Sequence, residues 1–162
     1  MTREDLYKEL DLIQNCIDKA SHNSFVIKGW TITLIAVILA LFPEKFNRQF
    51  LAVIVIVSTV ALWYLDAFFL KVDRLYRWKY DWVIKNRPRN QENMFNLDPY
   101  NVAMLGQNRK GNNRRVPCVV SVMFSWTLII FYVPILIISL ICLFCIVPFS
   151  EQTTAYLIQL SI

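Results

Sequence analysis

The sequence predicts an all-α integral membrane protein: three transmembrane helices, the third long and kinked, plus a cytoplasmic helical region, in an oligomeric assembly. Three observations lead there. The mean hydropathy is +0.41 with 56% hydrophobic residues, too apolar for an ordinary soluble domain of 162 residues. The apolar residues collect in three blocks, about 25–43, 49–70 and 116–150, each as long as the roughly 20 residues a helix needs to cross a bilayer. Eleven of the seventeen Lys and Arg fall in residues 71–115, between the second and third blocks. Cytoplasmic loops collect such residues, so this segment and the N-terminus are expected inside the cell and the C-terminus outside, in the periplasm.

Residues 1–24 read as a cytoplasmic amphipathic helix. Thr2 and Asp5 resemble a capping box. Leu6, Leu10, Ile13 and Ile17 recur at spacings of four, three and four, a narrow seam of the kind one helix presents to another. Glu4, Lys8, Glu9, Asp11 and Asp18 are assigned to the opposite, wet face. The helix is expected to end near His22 and Asn23. The seam serves either a contact between subunits or one within the chain, against the face 72–83.

Residues 25–70 form a transmembrane hairpin around a tight external turn at 44–48. Counting from that turn, Lys28 and Asp66 fall at similar depth near the cytoplasmic boundary. Asp66 is the one acid well inside an apolar block, where an unpaired charge is expensive. A structural ion pair between Lys28 and Asp66 is the favoured reading; an Asp66 facing a wet lumen is the other.

Nothing breaks the pattern after Leu70, so one helix of roughly 55 Å is expected over 49–85. Its cytoplasmic half carries Tyr76, Trp78, Tyr80 and Trp82, which suit helix packing and an interfacial belt better than base stacking. Nucleic acid is therefore not an expected partner. A turn-rich break follows at 86–92. Asp98 and Pro99 then look like the start of a short helix over 99–105, closed by Gly106. Arg109, Lys110, Arg114 and Arg115 form a basic loop. They act first as a topology signal and second as a surface for anionic lipid or a cytoplasmic partner.

The third block, 116–150, has no charge in 35 residues and holds Pro134 near its middle. One long crossing kinked at Pro134 is favoured over two half-crossings around it. Residues 151–162 are then an external tail.

No catalytic constellation stands out, and no cofactor or metal is expected. His22 has no Cys or Ser beside it, and the three glycines make no phosphate loop. Cys142 and Cys145 form a CxxC inside an apolar run, where cysteine serves as a small buried residue. The spans hold hydroxyls rather than mid-depth carboxylates, which argues against a coupled secondary transporter. Three spans cannot enclose a solute path, so a membrane activity requires a ring of copies.

Two stretches carry a resemblance. Ser24–Trp30 reads SFVIKGW; Trp63–Leu70 reads WYLDAFFL and is followed by Asp73–Arg77, DRLYR. Together they resemble small bacterial membrane proteins encoded in antiphage defence loci. That group is similar to the SLATT-type two-span effectors and to the membrane accessory protein of type VI-B CRISPR systems. The resemblance covers roughly residues 1–85. It implies an inner-membrane homo-oligomer that permeabilises or depolarises the membrane when a cytoplasmic defence protein or signal triggers it. Some accessory members carry a ribonuclease-like Arg…His pair; here Arg3 is the only Arg before His22, nineteen positions away. The alternative role is a non-conducting adaptor or sensor that recruits a cytoplasmic partner through the basic loop.

Overall fold

Thr2 opens the first helix with a reciprocal cap. The Asp5 N–H donates to Thr2 Oγ1 at 3.3 Å, and the Thr2 N–H donates to Asp5 Oδ2 at 3.0 Å. The Thr2 hydroxyl also donates to Asp5 Oδ2 at 2.7 Å, and these bonds hold the Asp5 carboxyl below its ordinary range. The computed structural model describes residues 2–40, 48–87, 92–107 and 111–145. Among them the regular structure is helical, with no strand and one isolated antiparallel bridge between Gln107 and Asn113.

Helix α1 runs unbroken over Arg3–Ala40. This corrects the expected end near His22 and Asn23. No Gly or Pro interrupts 3–28, and the buried positions Ile13, Ile17, Ala20, Ser24, Ile27 and Thr31 keep the four-three spacing across it. Helix α2 covers Arg48–Asn86, close to the expected 49–85. From Phe50 onward it is the one described helix long and apolar enough to cross a membrane. The expected external turn lies mostly outside the described residues.

The short helix expected over 99–105 is a single 3-10 turn, Val102–Met104. Its N-cap is Asn101, whose side chain accepts from the Ala103 N–H at 3.1 Å. Asp98 instead closes a local turn, accepting from the Tyr100 N–H at 3.0 Å. Gly106 does end the element, at φ +68°.

The third block is interrupted earlier than expected. Helix α3, Val119–Met123, is separated by Phe124 and Ser125 from α4, Trp126–Cys145. Pro134 lies inside α4, so the break falls at 124–125 rather than at the proline. Residues 146–162, including the expected tail, lie outside the described residues.

The chain divides into two compact units. Unit 1 comprises 1–27 and 64–123; unit 2 comprises 28–63 and 124 onward. The core of unit 1 is Ile13, Ile17, Val83 and Met104, with Leu6, Leu10, Tyr76, Tyr80, Trp82 and Leu97 packed against it. In unit 2, the buried Trp63 stacks on the fully buried Tyr132, ring centroids 5.8 Å apart at 11°. Phe124 meets the same indole edge-on at 6.1 Å.

Candidate functional site

The polar groups of unit 1 gather on the faces that α1 and α2 bury. Glu9 and Arg87 are both fully buried and form a two-pronged ion pair: Arg87 Nε donates to Glu9 Oε2 at 2.7 Å, and Nη2 donates to Oε1. Arg87 Nη1 also donates to the Glu92 carbonyl at 2.6 Å and Nη2 to the Asn93 carbonyl at 3.1 Å. The Phe95 N–H donates to Glu9 Oε1 at 3.3 Å. Such a pair repays desolvation only when its remaining donors and acceptors are used, and here they are.

The sequence reading placed Glu9 on the wet face and did not single out Arg87. The signal was present: Glu9 lies three residues after Leu6 and four before Ile13, on the seam itself. What periodicity cannot supply is a counter-charge 78 residues away.

Eight residues before Arg87, about two helical turns back, Lys79 is also fully buried and donates to the Asp98 carbonyl at 2.9 Å. Burial pushes its ammonium pKa down, against the attraction of Asp98 and Glu9. Tyr76 donates to the Leu97 carbonyl at 3.0 Å. Burial, with Cys16 adding to it, pushes the Tyr76 phenol up to about 12. Leu6, Leu10, Ile13 and Ile17 join the cluster that holds Val83, Tyr76 and Tyr80.

Asp66 is fully buried in unit 1 and accepts from the Ser24 hydroxyl. Lys28 is half-buried and belongs to unit 2. Further along α2, Asp73 Oδ2 accepts from Arg77 Nε at 2.8 Å, which raises the Arg77 guanidinium pKa; Asp73 Oδ1 is buried with no hydrogen bond.

Of the basic loop, Arg109 and Lys110 lie outside the described residues. Arg115 is exposed. The Arg114 guanidinium sits over the Trp78 ring, 4.9 Å from its centroid, and the Arg114 N–H donates to the Gly106 carbonyl at 3.0 Å. This side of unit 1 carries an open cleft of about 480 Å³ bounded by Trp78, Trp82, Lys85, Gln107, Asn113 and Arg114. Asp81 lines it too, and this mix of indole faces, cations, a carboxylate and amides suits a binding surface; the lining holds no nucleophile paired with a base.

Among the described residues of unit 2 the buried polar ones are hydroxyls: Thr31, Thr59 and Ser139. Ser139 donates to the Ile135 carbonyl at 2.8 Å, one turn back, which is how a hydroxyl is satisfied inside an apolar helix. Thr59 Oγ1 is buried and makes no hydrogen bond. Pro134, set aside as a kink, is exposed on α4.

Compared with known protein families, curated proteins and solved structures, the chain matches none of them.

Proposed function

We propose that the chain is a multi-pass protein of the bacterial inner membrane that assembles with copies of itself. On a cytoplasmic signal it permeabilises or depolarises the membrane in antiphage defence. The observation that carries the membrane part is the outward apolar surface of unit 2. Trp30, Val57, Trp126, Ile130 and Ile138 are each more than half exposed. Only 28% of the most apolar 18-residue stretch of α2 is buried. A helix at the core of a soluble protein would be mostly buried, whereas one bathed in lipid needs no cover.

On this reading residues 25–43, 49–70 and 116–150 cross the membrane, and α1 up to residue 24 together with residues 71–115 is cytoplasmic. The ring of copies follows from size, since three crossings enclose no path. The buried Thr31, Thr59 and Ser139 are the polar groups such a path would draw on. The role in defence rests on the resemblance of residues 1–85.

The test is the membrane potential of cells that express the chain, followed with a voltage-sensitive dye during phage infection. Collapse of the potential is expected; a potential that stays unchanged while the defence response runs overturns the effector reading. A detergent-solubilised mass equal to one chain overturns the ring. The proposed Lys28–Asp66 pairing is tested by charge exchange. Each single neutralisation should destabilise, and the swapped pair should recover part of the loss.

One observation favours the second reading, a non-conducting adaptor. The Trp78–Arg114 cleft opens to water and bears two cations, Lys85 and Arg114, against one carboxylate, Asp81, an excess that suits an acidic segment of a cytoplasmic partner. Charge reversal at Arg109, Lys110, Arg114 and Arg115 that abolishes partner recruitment while insertion stays correct would favour it.

A further inference from the structure

Residues 92–98 are gripped by their main chain. Arg87 holds the carbonyls of Glu92 and Asn93, Tyr76 holds that of Leu97, and Lys79 holds that of Asp98. The Phe95 N–H is taken by Glu9. The gripping side chains come from α1 (Glu9), from α2 (Tyr76 and Lys79) and from Arg87, the residue just past the end of α2, while Glu92, Asn93, Phe95 and Asp98 are themselves exposed. The segment adds one side chain, Leu97, to the apolar core of unit 1. The core residues Ile13, Ile17, Val83 and Met104 lie on its flanking elements.

The backbone of the segment is unusual. Asn93 and Phe95 have φ of +56° and +58°, the left-handed region that side chains with a Cβ rarely adopt. Two such residues within three positions persist only where their surroundings impose them, and here the surroundings are the Glu9–Arg87 pair. Few apolar contacts, a strained backbone and a grip confined to polar bonds together describe an element that opens before the helices do.

We propose that residues 92–98 form a releasable strap over unit 1, with Glu9–Arg87 as its catch, and that the strap lifts while α1 and α2 stay folded. Lifting removes the carbonyl acceptors of Lys79 and Arg87 together. It therefore turns two buried cations, Lys79 on α2 and Arg87 just past its end, into groups open to water. Unit 1 then has two states that differ in the cationic surface they present, and a binding partner selects between them by its preference for one. Every group involved lies in unit 1, so the strap holds independently of the membrane reading.

Hydrogen exchange of the full-length chain in detergent, read by mass spectrometry, tests it. In the wild type, amides of Phe95, Asn96 and Asp98 should exchange at least tenfold faster than those of Ile13, Ile17 and Val83. Glu9→Gln should accelerate the strap amides by a further factor of ten and leave the helix amides unchanged. The double variant Asn93→Gly, Phe95→Gly should exchange no faster than wild type, because the grip is on the main chain and glycine accepts the left-handed backbone. Equal rates for strap and helices in the wild type overturn the proposal, as does acceleration of both together by Glu9→Gln. Tenfold faster strap exchange in the glycine variant also overturns it, since side chains would then be holding the segment. If Glu9→Gln does not fold, the wild type and the glycine variant decide.

Discussion

Among the described residues, unit 1 buries five charged side chains, Glu9, Asp66, Asp73, Lys79 and Arg87, whereas the buried polar residues of unit 2 are the hydroxyls of Thr31, Thr59 and Ser139. The exteriors differ in the opposite sense. Unit 2 turns Trp30, Phe124, Trp126 and Ile138 outward, and unit 1 exposes charges such as Asp11, Asp18, Asp81 and Lys85. On the proposed membrane reading, each interior is matched to what surrounds it. In water, an ion pair can be buried if every remaining donor and acceptor is used, as Glu9 and Arg87 do. In an apolar medium nothing outside supplies hydrogen bonds, which suits a small hydroxyl satisfied by its own helix, as that of Ser139 is; the buried Thr59 hydroxyl departs from this and makes no hydrogen bond.

The sharpest way to break the contrast is to remove half of the buried pair. Arg87→Ala leaves Glu9 charged and buried and should destabilise unit 1 by about 3–5 kcal/mol. Denaturant titration of the solubilised protein, followed by tryptophan fluorescence, measures this. Glu9→Leu combined with Arg87→Met should recover most of the loss; a double variant no better than the single would mean the pair is irreplaceable. Ser24→Ala takes a hydroxyl donor from the buried Asp66 and should cost about 1–3 kcal/mol in the same titration. A cost near zero would show Asp66 to be supported from elsewhere.

Thr59→Val has the opposite sign. It deletes a buried hydroxyl that bonds to nothing and keeps the side-chain shape, so a gain of up to about 1 kcal/mol is expected. A loss would mean that the Thr59 hydroxyl has a partner in the assembled protein.

The smallest effect is a pH slope. The Tyr76 phenol has its pKa raised from 10.0 to about 12, so the folded state holds its proton where the unfolded chain has lost it. The stability this contributes is complete below pH 10 and is lost as the pH rises from 10 to about 12. Lys79 works the other way: its lowered pKa makes burial costly while it is charged, and stability is regained as the pH rises toward 10.5. Melting curves of Tyr76→Phe should therefore fall less steeply above pH 10 than those of the wild type. Parallel curves would remove Tyr76 from the account.

The sequence made the helical class, the extent of α2 and the seam from Leu6 to Ile17 readable, because each rests on periodicity along one helix. The unbroken passage of α1 through His22 and Asn23 was readable too, in the continued spacing to Ala20, Ser24 and Ile27. It was missed because two polar residues looked like an end. The partners of Glu9, Lys79 and Asp66 were not readable. They join residues 78, 19 and 42 positions apart, and single-chain periodicity holds no information about such distances. The break at Phe124 and Ser125 was hidden for another reason: a run without charges looks uniform, and attention goes to its proline.

The strict four-three spacing of the buried positions on α1 has a consequence for how this chain can vary. Such spacing works as a reading frame. Each residue turns the helix by about 100°, so one residue inserted among the exposed positions between Ile17 and Ser24 would carry everything after it off the buried face. Seven inserted residues would restore the phase to within about 20°. The exposed Asp18 and Lys19 are thus free to change identity but not number. Variation in this helix is expected as substitutions, or as whole heptads gained and lost, and not as single-residue gaps.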